Sequence, residues 1–385
     1  MSAPVIRHPG ELRWETRLLA VVTATLVVFG VANAYNAASV ITGRGGESIG
    51  LGYGLRQLSG AVVGAALMWV VARLDYQLWR RLAWPLLLVT IVFLLIPVLP
   101  GTGRIAPSLN GARRWVDIGP INFQPSEAAK LTIVIWCAML AAKKGAQIRE
   151  FKKGLAPFLL VAGLVSFLIF LEPNLSMATL VAFLAGVVMF TAGAKIGHFL
   201  LLGMVALPLV YTKIVDTQYR AARLATFLNR GEASDAASFQ ITQSITGFGS
   251  GQLFGVGFGH GQQKLGYLPY GYSDFLFSSI GEEWGFLGVC LVVLLFALFL
   301  WLGYRIARTA ADPFGQYLAA GLTTAVGFTA FLHMAVTLGL MPTTGLTLPF
   351  MSYGRSSLVI SLVATGILLS IGRQRGRPVK GRGRK

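Results

Sequence analysis

The chain has 385 residues, of which 55% are hydrophobic and only 12% charged, and its formal net charge is +18. With a mean hydropathy of +0.66, this composition excludes an ordinary soluble domain and points to a polytopic membrane protein. The excess of Lys and Arg does not imply nucleic acid: it gathers at helix ends and in a short tail, where it suits anionic headgroups.

Charge-poor stretches long enough to span a bilayer, about 17–25 residues, begin near Leu18, Leu55, Ala83, Ser126, Leu155, Ser176, Ile196, Phe275, Gln316 and Ser356. The expected fold is all-α, with ten transmembrane helices in one membrane domain over residues 18–372. Residues 1–17 form an N-terminal arm and residues 373–385 a basic tail. The first span imitates a secretory signal, with Arg13 and Arg17 before an apolar run and Ala32-Asn33-Ala34 after it. Cleavage there would invert the arginine pattern relative to the later loops, so the segment is read as an uncleaved helix.

Arg7, Arg13, Arg17, Arg73, Arg80, Arg81, the Lys143–Lys153 cluster, Lys195, Arg305, Arg308 and the tail all fall on one side of such a bundle. That side holds most of the 33 Lys and Arg. The positive-inside rule makes it the cytoplasm and puts both termini there. Cys137 and Cys290 lie within apolar spans and suggest neither a disulfide nor a metal site.

Two extracytoplasmic segments are too polar and glycine-rich to be simple turns. The first, residues 101–124, carries Arg113 and Arg114 beside Trp115. A guanidinium at that interface can clamp a phosphate, and the tryptophan suits the interfacial belt in any case. Just beyond it Glu127 and Lys130, three apart on a helix, share a face and can pair. They either fix the helix orientation or line a polar cavity.

The second segment, residues 213–272, is far longer than a bundle connection needs and is expected to be a large loop between the seventh and eighth helices. Gly247, Gly249, Gly251, Gly255, Gly257, Gly259 and Gly261 recur in it at near-alternate positions. Their amides either cradle an anion or serve flexibility and close packing; no phosphate-loop or dinucleotide spacing is present.

Asp274 follows, directly before a long apolar run, with Glu282 and Glu283 just beyond it. An acid at the membrane edge costs about 2.5–3.5 kcal/mol if it inserts, so it faces a partner, water or a substrate. It reads either as a cap of the eighth helix or as a general base kept ionised by the helix dipole. On a continuous helix Glu282 would join the same polar wall. Finally, residues 342–357 combine two prolines, two glycines and seven hydroxyl side chains where a loop re-enters a helix. Such irregular backbone at membrane depth must be buried in protein or line a cavity.

The segment Pro342–Ser357 closely resembles the signature of the SEDS family, which groups FtsW, RodA and SpoVE. Gly111-Ala112-Arg113-Arg114-Trp115 with Gln124-Pro125-Ser126-Glu127 and Lys130 is similar to a second block of that family. Gln240 through Gln243-Ser244, Gly249-Ser250-Gly251, Leu253-Phe254-Gly255 and Gln263-Lys264 to Ser273-Asp274-Phe275 resemble a third. The blocks keep the family order over residues 15–373. Gln263-Lys264 before Tyr-Leu-Pro and the Thr-Leu-Pro-Phe signature look more like FtsW than RodA.

The resemblance implies ten helices and a peptidoglycan glycosyltransferase that polymerises lipid II beside a class B penicillin-binding protein, a transpeptidase, and other division-complex membrane proteins. It implies Asp274 as the essential acid, Glu127 and Lys130 as an intramembrane pair, and Arg114 as the basic residue before the motif tryptophan. Lys264, Arg355, Gln243 and Ser352 join Arg114 as expected substrate contacts. No organic cofactor is implied; a divalent cation, Mg2+ or Mn2+, would suit a pyrophosphate leaving group. Two departures stand out. Pro269-Tyr270-Gly271-Tyr272 replaces the family's Pro-Glu-x-His, and Arg355 stands where a glycine is usual. A RodA-like elongation polymerase, a lipid II flippase and a non-catalytic division scaffold are the competing readings; a flippase would need inward- and outward-facing states but no base at the rim, and a scaffold would tolerate Asp274→Asn.

Overall fold

The computed structural model describes residues 14–40, 50–108, 111–119, 121–228 and 236–374. The expectations for most of the N-terminal arm and of the basic tail lie outside the described residues. Twelve α-helices are described: α1 Trp14–Ala38, α2 Gly50–Arg73, α3 Gln77–Val98, α4 Pro125–Lys144, α5 Ala156–Leu171, α6 Leu175–Thr191, α7 Ile196–Val215, α8 Gln218–Leu228, α9 Ala236–Gly251, α10 Leu276–Arg308, α11 Pro313–Thr337 and α12 Arg355–Arg373. Among the described residues, nine helices are long and apolar enough to cross a membrane. The sixth expected span, α6, is a shorter apolar helix of 17 residues. The protein is thus a mostly helical, polytopic membrane protein. The one sheet described is a hairpin of β1 Val116–Ile118 and β2 Ile121–Phe123, with Val116 opposite Phe123.

The helices begin within a few residues of the hydropathy boundaries because caps and breakers sit there. Pro125 opens α4, Asn174 accepts the Met177 N–H at the start of α6, and Asp312 accepts the Gly315 N–H at the start of α11. Ala32-Asn33-Ala34 lies inside α1, whose Asn33 accepts from the Trp284 indole on α10.

Lipid gives apolar side chains no reason to leave it, so helix association depends on close fit and polar contacts. The most buried helices, α4, α11 and α12, stand at the centre. Small residues let α2 and α12 approach: Gly64 faces Leu362, and Gly366 lies against the Met68 backbone. At the opposite extreme no described side chain of α7 is buried.

The described part of residues 213–272 contains helices. They include α8 and α9, and α9 packs along α10. α10 is itself broken at Gly285, whose φ of 64° takes the backbone out of the helical region. The break frees helical hydrogen-bonding groups, and the glycine-rich chain takes them up. Gln252 and Leu253 carbonyls accept the Phe286 and Leu287 N–H groups at 2.9 and 3.2 Å. The Val256 and Gly257 N–H groups donate to the Glu282 and Glu283 carbonyls at 3.0 and 3.1 Å. Unsatisfied backbone in a bilayer costs several kcal/mol, so the break and the glycine run require each other.

Candidate active site

Asp274 does not cap α10. The N-cap is Phe275, with no side-chain cap bond, and the carboxylate belongs to the turn before the helix. That turn is held by the Tyr270 carbonyl, which accepts the N–H groups of Ser273 and Asp274 at 3.0 Å and of Phe275 at 3.3 Å. Tyr270 adopts a φ of 58°, a left-handed conformation that a side chain of its size disfavours. Strain of this kind persists only where the surroundings over-determine it.

Those surroundings are the Pro342–Ser357 segment. The Ser352 hydroxyl donates to the Ser273 carbonyl at 2.7 Å and accepts the Leu348 N–H, while the Tyr353 N–H donates to the Tyr272 carbonyl. Gln57, fully buried on α2, completes the clamp. Its amide donates to the Ser352 carbonyl at 3.0 Å and accepts the Gly354 N–H at 3.1 Å. Tyr53, Tyr272 and Tyr353, one from each strand of this junction, pack ring to ring within 5.7 Å. Gly345, with a φ of 68°, lies against the Asp274 carboxylate, leaving no side chain between that carboxylate and the signature segment.

Burial pushes the Asp274 carboxyl above its ordinary range; the guanidinium groups of Arg223 and Arg114 and the Ser273 hydroxyl oppose that rise. Arg114 is anchored by donating to the Glu172 and Pro173 carbonyls at 3.2 and 2.6 Å. Arg223, on α8, donates to the Thr343 carbonyl at 3.0 Å. The charges of two cations on separate elements thus bear on one partly buried carboxyl, an arrangement suited to a base facing a phosphorylated substrate.

The other expected residues fall in different places. Glu127 and Lys130 form a buried ion pair at 2.7 Å on α4, and Lys130 also lines a small cavity with Thr329 and Ser361. Ser352 is buried, with its hydroxyl engaged in the clamp. Gln243 is half-buried on α9, and Arg355 opens α12 with its stem against Gly60 of α2. Lys264 is committed elsewhere: its ammonium donates to Asn36 at 2.8 Å, to the Gly259 carbonyl at 2.7 Å and to Glu283 at 3.0 Å. All three of its donors are occupied.

The acids past Asp274 belong to that second cluster and not to a wall shared with Asp274. Glu283 also accepts from Asn36 and from the Gly259 and Gly261 N–H groups. Glu282 accepts the N–H groups of Gln262 and Gln263. The glycine-rich run does cradle anions, but they are the chain's own carboxylates.

Sequence reasoning missed Gln57, Arg223 and Glu172. Arg220 and Arg223, three apart on a short polar helix, were a readable signal for the second of these. Glu172, buried at the end of α5, was a lone acid closing an apolar run.

These blocks meet in a bundle that defines a class: a multi-span membrane protein with one ionisable acid set between two arginines at one rim. The family model of the FtsW/RodA/SpoVE cell cycle proteins matches residues 16–377, and the chain belongs to that family. It is 39% identical over 367 residues to the probable peptidoglycan glycosyltransferase FtsW of Trichlorobacter lovleyi, covering 95% of each chain. It is 36% identical to the stage V sporulation protein E of Bacillus subtilis, covering 92% of this chain and 96% of that one. Among solved structures it resembles a chain of a peptidoglycan synthase complex that coordinates polymerization and crosslinking, with a TM-score of 0.77 and 27% identity over 94% of this chain and 98% of the other. The rod shape determining protein RodA of Thermus thermophilus gives a TM-score of 0.67 at 27% identity, over 94% and 97% of the two chains.

Proposed function

We propose that this protein is a peptidoglycan glycosyltransferase that polymerises lipid II at the outer face of the bacterial cytoplasmic membrane, in septal wall synthesis. Asp274 between Arg114 and Arg223 is the observation that carries the reading. In the proposed step Asp274 takes the proton of the acceptor sugar's 4-hydroxyl as that oxygen attacks the anomeric carbon of the growing strand. The bond from that carbon to the lipid pyrophosphate breaks, its electron pair leaves with the phosphate, and the configuration inverts. Arg114 and Arg223 offset the charge that develops on the departing oxygen.

We read α6 as the tenth transmembrane helix, with both termini in the cytoplasm. The septal role rests on the naming of the FtsW relatives. The likeness of this chain to a chain of a peptidoglycan synthase complex supports a class B penicillin-binding protein as partner, beside other division membrane proteins. Among the described residues no three His, Cys, Asp or Glu side chains come together. No step is routed through a divalent cation.

The test is a gel assay of glycan strands made from labelled lipid II by the purified protein with its transpeptidase partner, with moenomycin present to silence other polymerases. Asp274→Asn should reduce synthesis by roughly 10²–10⁴-fold while the complex stays folded. Strand synthesis retained by that variant would remove Asp274 from the chemistry.

A further inference from the structure

Glu172 is the most unusual acid in the described structure that the proposed reaction leaves unused. It ends α5 with 1% of its surface exposed, and neither carboxyl oxygen finds a hydrogen-bond partner among the described residues. A buried carboxylate in that condition is unstable unless it is protonated or faces a cation. The cation present is Arg114, which is anchored on the carbonyls of Glu172 and Pro173 and whose charge also reaches Asp274. The charge of one guanidinium therefore bears on two acids from elements about a hundred residues apart.

We propose that Glu172 is a positioning residue for the transfer reaction: it competes for the Arg114 guanidinium, and its proton decides whether that charge serves the Asp274 side. The inference rests on the reading of Asp274 as the base. When Glu172 carries its proton, Arg114 keeps its two carbonyl contacts but meets no negative charge from Glu172, and its own charge serves the Asp274 carboxylate and the phosphate oxygens that gather charge beside it. When Glu172 ionises, the nearest anion to Arg114 becomes Glu172 itself, and the reacting side loses a counter-charge. Among the described residues, two further cations on α8 reach the elements that carry these acids. Arg220 lies 5.5 Å over the Phe170 ring, and Arg223 bears on Asp274.

The sign follows from burial. Desolvation lifts the Glu172 carboxyl to about 8, against a smaller opposing pull from Arg114. The productive, protonated form therefore prevails at neutral pH and is lost as pH rises through that value. Wild-type polymerisation should be bell-shaped, with Asp274 setting the acid limb and Glu172 the alkaline one.

The experiment measures initial rates of strand synthesis by the protein–transpeptidase complex from about pH 6 to about pH 9.5. Wild type should lose roughly tenfold between about pH 7 and about pH 9, as expected for one group titrating near the middle of that range. Glu172→Gln is fixed in the neutral form; its rate at neutral pH should stay within about threefold of wild type and its alkaline limb should vanish. Glu172→Met, neutral and apolar, is expected to give the same flat profile and serves if the amide variant fails to fold. Infrared difference spectra supply a readout independent of turnover. A protonated-carboxyl band should disappear between neutral and alkaline pH in wild type and in Asp274→Asn, and be missing in Glu172→Gln. An unchanged alkaline limb in both neutral variants, or no such band, overturns the role of Glu172. Activity retained by Asp274→Asn instead overturns the base assignment, which the same series reads separately.

Discussion

At the scale of single residues, the place of Asp274 depends on hydrogen bonds made by residues far from it in the chain. Asp274 was legible in the sequence because an acid beside an apolar run is anomalous wherever it occurs. Gln57 was not legible, because an amide inside an apolar helix has no local partner to announce it; its partners lie almost three hundred residues away. Its two bonds join α2 to the segment that pins Ser273, so they act on the position of Asp274 through Ser352. Gln57→Leu keeps the volume but leaves the Ser352 carbonyl and the Gly354 N–H unpaired in a buried place. Leaving such groups unsatisfied costs about 1–3 kcal/mol each. The expected result is a protein that still folds, with a polymerisation rate reduced at least about tenfold, since small misplacements of a base are expensive. Wild-type rates for Gln57→Leu in the strand assay would show that the clamp does not set the site.

Within elements, the sequence marked where helices begin but not where one of them breaks. Gly285 sits in a continuous apolar run, and nothing in hydropathy distinguishes a packing glycine from one that turns the chain. The break became visible only with the segment that repairs it, residues 252–257. The same tertiary logic explains Lys264. The family resemblance suggested a substrate contact for it, and the chain between it and Asp274 turns its ammonium toward Glu283 and Asn36. Lys264 and Glu283 are both buried, so removing one partner strands the other's charge. Lys264→Met should destabilise the protein by about 3–5 kcal/mol. The pair Lys264→Met with Glu283→Gln should recover much of that loss, giving a coupling well outside additivity. The check is thermal unfolding in detergent of the single and double variants. Additive losses would mean that the two side chains do not act as a pair.

Across the whole molecule the two ends of the bundle are built differently. One end is welded: Arg305 pairs with Glu15, the Tyr76 hydroxyl and Gln77 amide both donate to Asp312, and Arg373 donates to the Ala72 carbonyl. These contacts tie α1, α2, α3, α10, α11 and α12 together at one level. The other end carries Asp274, the hairpin, α8, α9 and the strained Tyr270 turn, where adjustable groups and irregular backbone gather. Fixing one end while the other handles a large lipid-linked substrate is mechanically sensible, because helices held at a base can spread slightly at the rim. In the proposed orientation the welded end, which collects Lys143, Lys144, Lys152, Lys153 and Arg308, is the cytoplasmic one, as the positive-inside rule expects. A direct test starts from a chain with Cys137 and Cys290 replaced, into which single cysteines are placed at exposed positions on each end. A cysteine at Phe258, beside the glycine-rich segment, should react in intact spheroplasts with a maleimide that cannot cross the membrane. One at Gln147, between α4 and α5, should react only after the membrane is opened. The reverse pattern would place Asp274 on the cytoplasmic side, where a polymerase that builds wall outside the membrane cannot use it.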